Sequence, residues 1–176
     1  MKEQEIKELL QKAKERHRLR EGELAKLLAA REAEEALAKA ADEVRERYVG
    51  NGVHLRGLIE FSNICKQNCM YCGLRRDNGN IERYRLEDAE IVALAKKAMG
   101  YGYKTVVLQS GEDMHFTAKR LAGIIRRIKA LGLVITISVG ERDYETYRLW
   151  REAGADRYLL RIETTDAKLY EDFDPG

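Results

Sequence analysis

From residue 53 onward the chain alternates short β-branched or apolar runs with stretches of helical apolar period, and this alternation restricts its fold more than any other feature. Residues 53–61 (VHLRGLIEF), 104–109 (KTVVLQ), 133–139 (LVITISV) and 156–162 (DRYLLRI) have the length and composition of strands. Between them, residues 88–99, 117–131 and 144–153 carry apolar positions at helical spacing, and Gly100, Gly132 and Gly154 stand where those helices should stop. Strands alternating with helices over short connections imply parallel strands joined by right-handed crossovers. The strand runs are nearly continuous in apolar character, as expected when both sheet faces are covered. An α/β fold of four strands with three intervening helices is therefore expected. A closed eight-stranded (β/α) barrel takes about 250 residues. Residues 51–176 read as its first half, stopping at Phe173-Asp174-Pro175-Gly176 directly after the fourth strand with no completed helix behind it. A small complete open-sheet domain is the alternative.

The residues ahead of this repeat have a different period. Ile6, Leu9, Leu10 and Ala13 form one helical stripe, Leu24, Leu27 and Leu28 a second, and Leu37, Ala40, Ala41, Val44 and Tyr48 a third. A turn signal, Val49-Gly50-Asn51-Gly52, ends them. Residues 1–50 are thus expected to be a helical segment packed on a domain formed by residues 51–176, an oligomerisation arm being the alternative. Charged residues make up 35% of the chain but the net charge is only +2, so no strong field points to nucleic acid or to an anionic membrane. No apolar run approaches membrane-spanning length. The first twenty residues, MKEQEIKELLQKAKERHRLR, lack the apolar core of a secretory signal, which makes the cytoplasm the expected location. The chain holds three cysteines, an odd number that argues for metal or catalytic use over a disulfide framework.

All three cysteines fall within eight residues, Cys65-Lys66-Gln67-Asn68-Cys69-Met70-Tyr71-Cys72, in the loop after the first strand. In parallel α/β folds chemistry gathers at such carboxyl-end loops. Thiolates select iron–sulfur clusters, zinc or copper(I). A structural zinc site takes four ligands, and the fourth would have to come from His54 or His115. A [4Fe–4S] cluster held by three cysteines leaves one iron open for a substrate or cofactor, which suits the count better. After the second strand comes Ser110-Gly111-Glu112-Asp113, where the glycine permits close backbone approach and Glu112 can pair with an ammonium. Ser138 ends the third strand. Arg161 and Glu163 end the fourth, where alternation would turn both to one side; a structural ion pair is the other reading of those two.

The C-x3-C-x2-C pattern with Tyr71 before its last cysteine resembles the signature of the radical S-adenosylmethionine superfamily, and SGED resembles that superfamily's GGE motif, with Ser110 departing from its first glycine. The resemblance implies a TIM-type barrel, a [4Fe–4S] cluster on Cys65, Cys69 and Cys72, and S-adenosylmethionine chelated at the open iron. It also implies one-electron cleavage of that cofactor to a 5′-deoxyadenosyl radical. The runs 60–65 and 71–78, Arg83-Tyr84-Arg85, 107–113, 153–161 and Glu163-Thr164 are similar, more narrowly, to the [FeFe]-hydrogenase maturases of the HydE family, whose members are about twice this length. That resemblance implies that Tyr71, Gln109, Gly111, Glu112, Ser138 and Glu163 line the S-adenosylmethionine site. Arg56 and Arg161 would hold an anionic substrate in the barrel interior, an iron carbonyl cyanide species carrying cysteine. It further implies other hydrogenase maturases and an electron donor as partners, and assigns no protein side chain as a catalytic residue. Methylornithine synthase and biotin synthase share the barrel and loop motif and are the alternatives, as is an inactive cluster-binding fragment.

Overall fold

A computed structural model describes residues 1–173, so the Asp174-Pro175-Gly176 part of the expected stop lies outside the described residues. The chain divides into two compact units, Met1–His54 and Leu55–Gly176.

The first unit contains α1 (Glu3–Arg16), α2 (Glu21–Ala29), a single 3-10 turn (Arg31–Ala33) and α3 (Glu34–Val49). Ile6, Leu10, Leu27 and Ala33 form its small core, with Leu19, Leu37 and Ala40 packed against them. Ion pairs from Lys12 to Glu23 and from Lys14 to Glu43 join the helices at their rims. The second and third stripes are only partly used, because the core is too small to cover them: Leu24, Leu28 and Tyr48 are exposed. Tyr48 instead lies edge-on to the His17 ring.

The second unit is the strand–helix repeat: β1 (Arg56–Ser62), α4 (Asp88–Gly100), β2 (Thr105–Ser110), α5 (Ala118–Lys129), β3 (Val134–Ser138), α6 (Tyr144–Ala153), β4 (Arg157–Tyr158) and α7 (Ala167–Phe173). The four strands lie in sequence order and every pair is parallel. Ile59 pairs with Leu108, Leu108 with Ile137, and Ile137 with Tyr158. Alternate residues Ile59, Phe61, Val106, Leu108, Ile135 and Ile137 are buried with Ile91, Ala95, Leu121, Ile125, Ile128 and Trp150 of the helices. Burying one such side chain is worth roughly 1.5–3 kcal/mol, so this shared layer holds the unit together. Trp150 keeps its indole N–H satisfied on the Ala118 carbonyl at 2.9 Å.

Three expectations are corrected here. The strands are covered on one face only: Leu58 is 55% exposed, and Val107, Val134 and Thr136 are half-buried. The apolar character of that second face hid the period of two in the sequence. The fourth strand is two residues long, because it pairs with β3 only at Thr136 and Ile137, and Leu159 to Ile162 run on exposed beyond one last bond from the Leu159 amide to the Ile137 carbonyl. A helix, α7, does follow it, started by Asp166, whose carboxylate accepts from the Leu169 amide at 3.0 Å. Among the described residues no helix is long and apolar enough to cross a membrane.

Candidate metal and cofactor site

The β1–α4 connection carries the cysteines, and its first turn is fixed by β1 itself. Ser62 Oγ accepts from the Ile64 amide at 3.2 Å, turning the chain as it leaves the strand. Gly111, just past β2, abuts that turn: a methyl group there would overlap the Ile64 carbonyl oxygen and stand 2.8 Å from Cys65 Cβ. The next amide, Glu112 N–H, donates to Cys65 Sγ at 3.3 Å, and the Lys66 amide returns a bond to the Glu112 carbonyl at 3.1 Å. Cys69 and Cys72 lie in one turn, with the Cys72 amide on the Cys69 carbonyl at 2.9 Å, and Leu74 N–H points at Cys72 Sγ at 3.4 Å.

All three thiols are partly exposed and none is in a disulfide. Backbone N–H groups thus point at Cys65 Sγ and Cys72 Sγ, the kind of contact that tunes a metal centre where one is bound. A single ion needs every ligand within about 2.3 Å of one point, and among the described residues no group of three His, Cys, Asp or Glu side chains is gathered so tightly. Of the histidines considered as a fourth zinc ligand, His115 meets the Arg120 guanidinium and lies edge-on to Phe116. The donor set, three soft thiolates on one loop, fits a cluster.

Glu112 is nearly buried beside this loop. Its Oε1 accepts the Glu141 amide at 2.8 Å; its Oε2 accepts from Gln67 Nε2 at 3.2 Å, with Lys66 Nζ also at 3.2 Å and Arg142 Nη1 at 3.9 Å. Donors from the cysteine loop and from the β3–α6 loop thus hold the Glu112 carboxylate in one place. Gly140 makes room for it, since a Cβ there would overlap the Glu112 side chain. The Tyr158 hydroxyl donates to the Gly140 carbonyl, and burial pushes the Tyr158 phenol far above its ordinary range.

The structure brings most of the sequence-derived residues to one rim. Gln109 and Ser138 are direct register partners at the carboxyl ends of β2 and β3, one and two residues from Ser110 and Gly111 in the first case. Tyr71 and Glu163 line one cavity of about 250 Å³ with Thr164, Leu169, Tyr170 and Phe173 of the α7 region. Glu163 reaches it from a loop with φ +31 and not from a strand end, so the alternation argument that paired it with Arg161 does not hold. Arg161 is exposed beyond β4. Arg56 opens β1 on the uncovered face, a full strand away from the cysteine loop, so neither arginine joins the rim group through β-strand geometry.

Asp113 is the residue whose importance was not legible. It is 2% exposed, accepts from Ser62 Oγ at 2.7 Å and from the His115 amide at 3.1 Å, and receives the Arg85 guanidinium at 2.6 and 2.9 Å. Burial alone would push its carboxyl up, but the bonds from Arg85, Ser62 and the His115 amide outweigh that and hold it below the usual carboxylate range. It locks the Ser62 turn to the Gly111–Glu112 turn. Arg85 and Ser62 are 28 and 51 residues away from it in sequence, so no local pattern announces them.

Comparison with known proteins gives the family. The family model described as the Radical SAM superfamily matches residues 59–176. The [FeFe] hydrogenase maturase subunit HydE of Thermotoga maritima is 52% identical over 141 residues, which is 80% of this chain and 40% of that protein. A 3-methylornithine synthase of Methanosarcina acetivorans is 39% identical over 146 residues, 80% of this chain and 41% of that protein. The crystal structure of a methylornithine synthase superposes with a TM-score of 0.84 at 36% identity, covering 96% of this chain and 51% of that one. The chain therefore spans about 40% of the length of the curated relatives it matches.

Proposed function

Because the chain belongs to the radical S-adenosylmethionine superfamily, we propose that Cys65, Cys69 and Cys72 hold a [4Fe–4S] cluster and that Glu112 receives the amino group of S-adenosylmethionine beside it. When bound, the cluster supplies the electron that cleaves the cofactor's sulfonium to give a 5′-deoxyadenosyl radical. The chain's own residues do the holding. Gly111 lets the β2 turn close on Cys65, the Glu112 and Leu74 amides orient two of the thiolates, and Glu112 offers a fixed anion for an ammonium. Gln109, Ser138, Tyr71 and Glu163 complete the cofactor's surroundings in this reading, while Arg56 and Arg161, which stand apart from the rim group, are given no part in it. The observation that carries it is the bond from Glu112 N–H to Cys65 Sγ, which puts the carboxylate that receives the cofactor's amino group and a cluster ligand in contact through one residue.

Identity to HydE exceeds that to methylornithine synthase over similar lengths. We therefore assign the protein to hydrogenase maturation, acting on an organometallic precursor that carries cysteine, alongside other maturases and an electron donor. The good superposition on methylornithine synthase supports a second reading, in which 3-methylornithine is the product.

Anaerobic reconstitution tests the site. The expected result is about four irons per chain and an electron paramagnetic resonance signal that changes when S-adenosylmethionine is added. Glu112→Gln should keep the iron and lose that change. Zinc without iron in protein purified under argon would overturn the reading. Release of 3-methylornithine would select the second reading over the first.

A further inference from the structure

One guanidinium gathers five main-chain carbonyls around the cysteine loop. Arg83 Nη1 donates to the carbonyls of Asn63 at 2.6 Å and Leu74 at 3.0 Å, and Nη2 donates to those of Arg75 at 2.7 Å, Asn78 at 3.3 Å and Arg76 at 3.5 Å. Asn63 lies two residues before Cys65, and Leu74 two residues after Cys72. The side chain thus joins the start of the loop to its end, with every cysteine in between. The backbone that delivers Arg83 is itself pinned to the loop start: Asn63 Nδ2 donates to the Glu82 carbonyl at 2.7 Å, and the Tyr84 amide donates to Asn63 Oδ1 at 2.8 Å. A planar fork with a permanent charge suits a ring of carbonyl dipoles; an ammonium carries the charge without the fixed directions.

We infer that Arg83 is a positioning residue for the metal site: it clasps the two ends of the cysteine loop into one arrangement and keeps a fixed positive charge at that loop. This rests on the assignment of Cys65, Cys69 and Cys72 to a cluster, but the clasp itself operates without one. Its two properties separate in Arg83→Lys, which keeps the charge and loses the fork, and Arg83→Gln, which loses both.

Hydrogen exchange on the metal-free full chain reads the clasp directly. Amides of residues 70–78 should exchange about tenfold faster or more in both variants, while those of α4 and α5 keep the parent's protection. After reconstitution, a chelator should strip iron about tenfold faster from both variants, the range seen when groups supporting metal ligands are removed. The cluster's reduction potential should fall in Arg83→Gln and less in Arg83→Lys. A role in general stability would instead speed exchange throughout the unit and leave the potential alone. Parent-like loop exchange in Arg83→Gln, or unchanged iron loss and potential, overturns the inference. Should Arg83→Gln fail to fold, Arg83→Lys carries the exchange and stripping measurements. Absence of iron uptake by the parent chain overturns the cluster assignment alone, and the exchange result still decides the clasp.

Discussion

Arg85 grips the buried Asp113 carboxylate with both arms, Nε on Oδ2 at 2.6 Å and Nη2 on Oδ1 at 2.9 Å, and so fastens the end of the cysteine connection to the turn after β2. Ser62, an isolated bridge partner of Arg85, donates to the same carboxylate. Asp113→Asn keeps the shape but turns one acceptor into a donor facing donors. The expected loss is about 2–3 kcal/mol in urea unfolding, near the upper end for a hydrogen bond to a charged group and below that of a fully buried ion pair because Arg85 is partly exposed. Ser62→Ala, which leaves the Arg85 fork intact, should cost only about 1 kcal/mol. Equal stability of Asp113→Asn and parent would remove the residue from the account.

The same carboxylate sets a pH dependence. Its folded pKa lies below the unfolded value of about 3.9. A depressed carboxylate stabilises the fold fully above the unfolded pKa and loses that contribution as pH falls through the folded one. The stability gap between parent and Asp113→Asn should therefore stay flat from neutrality down to about pH 4 and narrow below it. Urea titrations of both proteins across that range measure the gap, and a gap that widens on acidification contradicts the assignment.

How far the sequence could be read follows from the range of each interaction. The strand–helix order, the loop placement of Cys65, Cys69 and Cys72, and the close approach at Gly111 were all legible, since each depends on neighbours a few residues apart. What was not legible depends on distant partners. Asp113 closes the Ser110–Asp113 motif in sequence, but the residues that bind its carboxylate, Arg85 and Ser62, lie 28 and 51 positions away. The expected fourth strand contracted to Arg157–Tyr158 because a strand's length is set by what it pairs with, and β3 offers it only two register partners. Leu24 and Leu28 have helical spacing but no surface to cover them, which periodicity alone cannot reveal.

Gly111→Ala places a methyl group against backbone, at the Ile64 carbonyl, with Cys65 Cβ beside it. Neither neighbour is the flexible end of a side chain, so the cysteine turn must move. Overpacking of this kind costs about 1–3 kcal/mol, and here the displacement falls on Cys65, a ligand in the proposed cluster site. Iron content after reconstitution should drop well below that of the parent, by a larger factor than the fall in thermal stability explains. Full iron loading of Gly111→Ala would show that Cys65 tolerates displacement.

Gly140 tests the other half of the site without touching the cysteines. Its φ of +74 lies in the left-handed region, where a side chain costs roughly 1–2 kcal/mol. The larger effect is steric, because the new Cβ would overlap the Glu112 side chain and drive it off the Glu141 amide that now fixes its Oε1. Gly140→Ala should therefore load iron like the parent, since the bond to Cys65 Sγ and the bond from the Lys66 amide are made by the Glu112 backbone and not by its carboxylate. Its affinity for S-adenosylmethionine should fall about tenfold or more, the loss expected when an oriented charge-assisted bond is misplaced. Isothermal titration of the reconstituted protein measures this, with Glu112→Gln as the reference. If Gly140→Ala binds the cofactor as the parent does while Glu112→Gln does not, the present orientation of Glu112 is dispensable and only its charge matters.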